Sequence, residues 1–280
     1  MIKNLQINIK GQLYTFDQPK VMGILNVTPD SFFDGNQYTN SDAIRKRLDS
    51  MLSEGADIID IGAYSSRPGA ADVSAEEEWQ RLEKAFEVIA KYYSNLIISV
   101  DTFRAEIARK SILEGGAAII NDISGGEIDK AMFATIAQLH VPYILMHMQG
   151  IPQNMQNNPN YKNVTIDVVK YLSQRVLELH KLGVADIIID PGFGFGKTIE
   201  HNYQLLSELK SFEIFNMPIL VGLSRKSMIY KVLNTDAQHS QNGTTALNML
   251  ALNNGAHILR VHDVREAVEC VSLWRQYSEI

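Results

Sequence analysis

Polar side chains stand at the ends of short apolar runs throughout this sequence. In chain order they are Asn26, Asp60, Asp101, Asn121, His147 and Asp190, then Lys226 just past a further run, then Arg260 and His262. Asp and Asn at a strand-to-helix junction are common helix caps, so any one of them has a purely structural explanation. A whole ring of them, set inside the strand ends, is harder to explain that way. The three carboxylates and two carboxamides suit a ligand rich in N–H donors, because a carboxylate accepts two parallel hydrogen bonds from a guanidine-like edge. Lys226, Arg67, Arg260 and His262 bring positive charge to the same place, which suits a phosphate or pyrophosphate. The expected ligand is a donor-rich heterocycle with a phosphorylated arm.

The elements that must position these groups alternate along the chain. Apolar runs rich in Ile and Val recur at VMGILNV, DIIDIG, LIISVD, AAIIND, PYILMH, DIIIDP, PILVGL and HILRVH. Runs that are apolar throughout belong to parallel strands covered on both faces. Between them lie amphipathic segments, such as 74–93, where Trp79, Leu82, Phe86, Ile89 and Tyr93 share one helical face. Ser74 with Glu77, and Asp263 with Glu266, read as capping boxes. Strand and helix alternating in this way predict an α/β fold of the (β/α)8 TIM barrel type. An open doubly wound sheet is the competing architecture, but LNVTPDSFFDG carries no glycine fingerprint in the first turn. Residues 2–16 read as a β-hairpin turning at Lys10-Gly11, able to plug the barrel bottom, so a single domain is expected, with the hairpin over 1–19 and the barrel over 20–280.

Composition narrows the function classes. A chain of 280 residues with 45% hydrophobic and 21% charged residues can bury one large core. Its formal net charge of −6 and scattered Lys and Arg give no footprint for nucleic acid. No apolar run is long enough to span a membrane and the first residues lack a signal-peptide core, so a cytoplasmic location is expected. The single cysteine, Cys270, falls in an apolar-periodic helix and reads as a buried structural thiol. AEEEW reads as a charged helix start, and His140, His180, His201 and His239 as solvated. The spacing offers no tight zinc site.

The stretch IIIDPGFGFGKT, from Ile187 to Thr198, imitates a phosphate-binding P-loop. Its first glycine fails, because Pro191 occupies that position. The stretch is better read as a strand end that presents Asp190, followed by a flat glycine loop with Phe195 as an aromatic wall and Lys197 as a bystander on the next helix.

Taken in order, NVTPDSFFDG, YSSRPGA, VDTFR, NDISGG, DPGFGFGK, GLSRKS and RVHDV resemble the dihydropteroate synthase family, pterin-binding TIM barrels of folate biosynthesis. The resemblance implies a transferase that joins a pterin pyrophosphate to p-aminobenzoate, the target of sulfonamides. It implies that Asp60, Asp101, Asn121, Asp190 and Lys226 hold the pterin, with Met146, Phe195 and Gly222 packed around it, and that Asn26, Arg260 and His262 grip the pyrophosphate. A Mg2+ ion bridging pyrophosphate oxygens beside Asn26 is implied as well. Ser65, Ser66, Arg67, Pro68, Phe195 and Ser227 are implied for p-aminobenzoate and the loop over it. Asp101, Lys226 and Arg67 are the implied catalytic groups, and a homodimer is the implied assembly.

One departure from the family pattern stands out: Ala63-Tyr64-Ser65-Ser66 replaces the common Gly-Glu-Ser-Thr, putting a phenol where an acid is usual. A pterin-dependent methyltransferase barrel would share the carboxylates but has no use for the cationic SRKS and RVHDV motifs. A non-catalytic pterin-binding subunit would be expected to lose Lys226, Arg67 or Arg260. An aldolase-like phosphate barrel would explain Arg260 but not the Asp and Asn ring.

Overall fold

The computed structural model describes residues 5–28, 40–64, 73–150, 155 and 158–278. A hairpin of β1 (Leu5–Ile9) and β2 (Gln12–Phe16) precedes β3 (Lys20–Asn26). Strand and helix then alternate: α1 (Asn40–Ser53), β4 (Ile58–Gly62), α2 (Ala75–Tyr92), β5 (Ile98–Asp101), α3 (Ala105–Leu113), β6 (Ile119–Asp122), α4 (Met132–Leu139) and β7 (Tyr143–Met146). The second half continues with α5 (Val164–Lys181), β8 (Ile187–Asp190), α6 (Ile199–Ser207), β9 (Leu220–Val221), α7 (Ser227–Tyr230), α8 (Gln241–Asn253), β10 (Ile258–Val261) and α9 (Val264–Ser278). The eight barrel strands pair in parallel in the order β8-β7-β6-β5-β4-β3-β10-β9, and a bridge between Ile189 and Ile219 links the two ends into a ring. The fold is the expected TIM barrel.

Side-chain alternation along the strands sorts the interior by height. Residues of one parity, such as Leu25, Ile61, Val100, Leu145, Ile189 and Leu259, face outward into the core shared with the helices. Those of the other parity point into the barrel. Its lower layer is apolar, with Met22, Ile58, Ile119, Ile144, Ile188, Leu220 and Ile258 packed on Ile7, Ile9 and Phe16 of the hairpin. Two residues further along the strands, the same face carries Asp60, Asn121, Asp190 and Arg260. The hairpin therefore closes the end opposite the polar ring. It is tied there by the Asn8 amide donating to Asp186 at 2.9 Å and the Lys10 amine donating to the Gly116 carbonyl at 2.7 Å. Because Phe16 is fully buried, Phe16→Ala should destabilise the protein by about 3–5 kcal/mol while leaving substrate KM unchanged, since it lies at the far end from the ring. Denaturant unfolding beside steady-state kinetics would check both halves of that expectation.

Several local expectations need correction. Ser74 does cap α2 by accepting from the Glu77 amide, but the Glu77 carboxylate turns to Arg81 instead of closing the box. Asp263 caps nothing with its side chain and instead pairs with Arg225, its Oδ2 3.0 Å from Nε. Glu78 of AEEEW is no solvated charge. It is fully buried, accepting from Thr102 Oγ1 at 2.7 Å and from the Arg104 guanidinium, which also donates to the Val73 carbonyl. His201 closes a capping box with Thr198 at the start of α6. Cys270 is buried, as expected.

Candidate active site

Arg260 organises the ring. From β10 its Nε donates to Asp60 Oδ2 at 2.6 Å and its Nη2 donates to Asp101 Oδ2 at 2.7 Å. Asn121 Nδ2 donates to the same Asp60 oxygen at 3.0 Å. Burial alone would lower the Arg260 pKa, but Asp60 and Asp101 more than reverse this and hold the guanidinium charged. Burial pushes Asp101 up to about 7 against the pull of Arg260. Asp60 Oδ1 and Asn121 Oδ1 are buried and have no partner among the described residues. A buried acceptor without a donor is costly in the folded protein, and both oxygens belong to the ring around Arg260.

Asp190 ends β8, and its Oδ1 accepts from the Gly192 amide at 2.7 Å. Burial raises its pKa, with Lys226 the main opposing influence. The loop after it lies flat on β7: a Cβ at Gly192 would come 1.9 Å from the His147 carbonyl oxygen, and φ there is +73°. Lys226, the N-cap residue of α7, donates its ammonium to the Phe193 carbonyl and holds it 4.7 Å from the centre of the Phe195 ring. Gly222 lies beside this amine, where a Cβ would sit 3.9 Å from Lys226 Nζ, an ordinary contact. Above the ring, Phe103, Ile123, Met146, Met148 and Met155 form an apolar cluster joined by Tyr64 and Phe195. Tyr64 packs edge-on against Phe103 at 5.0 Å, with the Arg104 guanidinium 5.3 Å from its ring centre.

Burial lowers the Lys226 pKa to about 8, with Asp190 pulling the other way. The ammonium is therefore present below that pH and lost as pH rises through it. Affinity for a ligand that accepts from this amine should accordingly fall between roughly pH 7 and 9, a slope that Lys226→Met should flatten in a fluorescence titration.

The remaining expected residues divide. Asn26 ends β3 beside Gly62, and His262 follows β10 with its Nδ1 2.9 Å from Ser224 Oγ. Ser227 is the first residue of α7. Ser65, Ser66, Arg67 and Pro68 lie outside the described residues, as does Asp34 of the NVTPDSFFDG motif. His147, counted with the ring in the sequence, is not in it. One position past the inward Met146, its ring turns the other way, against Tyr171 at 4.9 Å. Lys197 is no bystander either, being 3% exposed and bonded to His147. Asp122 escaped notice altogether. It accepts from Ser124, Gly126 and the Tyr143 hydroxyl, so it shapes the NDISGG loop. An acid two residues before a serine and four before a glycine was the available signal.

A family described as pterin binding enzyme matches residues 22–262. The chain belongs to that family. Dihydropteroate synthase of Escherichia coli (strain K12) is 44% identical over 269 residues, covering 95% of this chain and 94% of that protein. Among solved structures, Yersinia pestis dihydropteroate synthase in a sulfonamide drug complex superposes with a TM-score of 0.92 at 40% identity, covering 99% of this chain and 100% of that one. The Xanthomonas albilineans enzyme with 4-aminobenzoic acid gives 0.91 at 36% identity over the same shares. The matched range takes in Asp60, Asn121, Asp190 and Arg260 of the ring described above.

Proposed function

We infer that this chain is a dihydropteroate synthase, condensing 6-hydroxymethyl-7,8-dihydropterin pyrophosphate with p-aminobenzoate to give 7,8-dihydropteroate and pyrophosphate. The observation that carries the reading to these residues is the pair of bare acceptors, Asp60 Oδ1 and Asn121 Oδ1, at the same mouth as Asp190 and the half-buried cations Lys226 and Arg260. An amino-pyrimidine edge donates N–H groups to acceptors of that kind. The amine nitrogen of p-aminobenzoate forms a C–N bond to the pterin methylene carbon, and the C–O bond to pyrophosphate breaks. The amine then loses a proton to solvent.

Such a reaction needs a stabilised leaving group and a dry pocket more than a strong nucleophile. Arg260 and His262 are assigned to the pyrophosphate, and Asp101 to the positive charge that grows on the methylene pterin. Asp190, Asn121, Asp60 and Lys226 are assigned to the ring, with Met146, Gly222 and Phe195 around it. Ser227, Pro68 and the Ser65-Ser66-Arg67 loop are assigned to p-aminobenzoate. Tyr64, joined to the apolar cluster at the mouth, adds an aromatic flank where the family pattern has an acid.

A magnesium ion fits the donor chemistry. Gly62 leaves the Asn26 amide oxygen open, since a Cβ there would come within 3.3 Å of Oδ1. Magnesium takes few protein oxygens and keeps water and substrate phosphates as its other ligands, so the Asn26 amide oxygen could serve as one of them. When bound, it would neutralise charge on the departing pyrophosphate. A homodimer working in the cytoplasm completes the reading. No helix among the described residues is long and apolar enough to cross a membrane.

The deciding experiment measures pyrophosphate release by the purified protein. Release should require the pterin pyrophosphate, p-aminobenzoate and magnesium together. Tight pterin binding without any release would replace this reading with that of a non-catalytic pterin-binding protein.

A further inference from the structure

We propose that Lys197, held by His147, is a positioning residue for the pterin site, an inference that rests on the functional reading above. The amine of Lys197 lies 2.8 Å from the Gly192 carbonyl, 3.1 Å from the Phe195 carbonyl and 3.0 Å from His147 Nδ1. The protonated amine has three donors, one for each partner, while burial draws its pKa down to about 7. His147 is suited to the third place. It is 6% exposed, and burial drives its pKa well below the usual range, leaving a neutral ring that can offer Nδ1 as an acceptor.

The clamp acts on the one loop that both Asp190 and Lys226 depend on. Gly192, whose carbonyl Lys197 takes, donates its amide to Asp190. Phe195, whose carbonyl Lys197 also takes, lays its ring under the Lys226 ammonium, and Phe193 between them supplies that ammonium with its carbonyl acceptor. Lys197 therefore grips the outer side of a loop whose inner side sets where Asp190 and Lys226 stand. A buried cation is a poor choice for stability alone, since an apolar chain of similar length would avoid the desolvation penalty. Only a donor can hold two carbonyls 2.8 and 3.1 Å away in fixed relation to the end of β7. Tyr161 ties the same loop at a different point, donating to the Gly196 carbonyl at 2.7 Å, and so provides an internal comparison.

The test compares wild type with Lys197→Met, Lys197→Arg, His147→Phe and Tyr161→Phe. Melting temperature of the free protein, pterin Kd by intrinsic fluorescence, and kcat with KM for each substrate are read for all five proteins. Because misplacing a binding group by about 1 Å can cost about 100-fold, Lys197→Met should raise pterin Kd and KM by roughly 10- to 100-fold, with kcat changed less than KM. His147→Phe should give a smaller change in the same direction. Tyr161→Phe should stay within about twofold, because it leaves the clamp intact. Lys197→Arg keeps a buried charge, but its larger planar guanidinium does not match a space in which one nitrogen meets all three acceptors, so it should still weaken pterin binding and serves if Lys197→Met fails to fold. A foldable Lys197 variant with wild-type pterin Kd, whatever its melting temperature, would overturn the proposal. Equal losses in Kd for Lys197→Met and Tyr161→Phe would overturn it too. Wild-type protein that binds no pterin would overturn the functional reading along with it, whereas wild-type binding beside an unaffected Lys197→Met overturns this proposal alone.

Discussion

Asp190→Asn should weaken pterin binding by on the order of 100-fold, because it replaces a charged acceptor with a group that is half donor, at about 3 kcal/mol for a buried bond of this kind. The substitution preserves shape, and the Gly192 amide can still donate to the remaining carbonyl oxygen, so the strand end should hold its form. Calorimetry or fluorescence with a pterin analogue reads the effect directly. Unfolding should move little. Unchanged affinity would mean that the amino-pyrimidine edge lies elsewhere in the ring, and Asp60 with Asn121 would then be its whole reception.

Arg260→Met should do damage of two separable kinds. It strips the shared counter-charge from Asp60 and Asp101, whose oxygens accept from the guanidinium at 2.6 and 2.7 Å. Leaving buried carboxylates unpaired costs about 3–5 kcal/mol, so the denaturant midpoint should fall clearly. It also removes a cation from the departing pyrophosphate, and the loss of one such group lowers kcat by about 10²–10³-fold. Arg260→Lys separates the two effects. A single ammonium cannot span both carboxylates as the planar guanidinium does, so stability should be partly restored while kcat recovers less. A variant that regained both equally would argue that Arg260 serves only as a counter-ion.

The barrel was legible because its cause is local. Strands apolar on both faces and helices with one apolar stripe leave few architectures, and Ile58, Ile144, Ile188 and Ile258 occupy the lower interior that the pattern required. The ring was legible for the same reason, since residues two places beyond those isoleucines and on the same face had to reach the mouth. His147 shows where the reasoning broke. It stands one residue past the last inward position, and a period of two sends it to the opposite face. Lys197 was misread, and the second role of Glu78 beyond a charged helix start missed, because a charged residue near a helix start is ordinarily solvated and only the packing around each reveals its buried partners. Asp263 was misread because a cap and an ion pair look alike in one dimension, and Arg225 lies 38 positions away.

The two bare oxygens on Asp60 and Asn121 have a further consequence. They cost the empty protein stability, and exchanging these side chains for hydrocarbon is no remedy, because Asp60 also holds Arg260 and Asn121. Gains in heat tolerance must therefore come from the helices and the hairpin instead. The mouth of the barrel is thus the part least free to be optimised, and the floor beneath it the most.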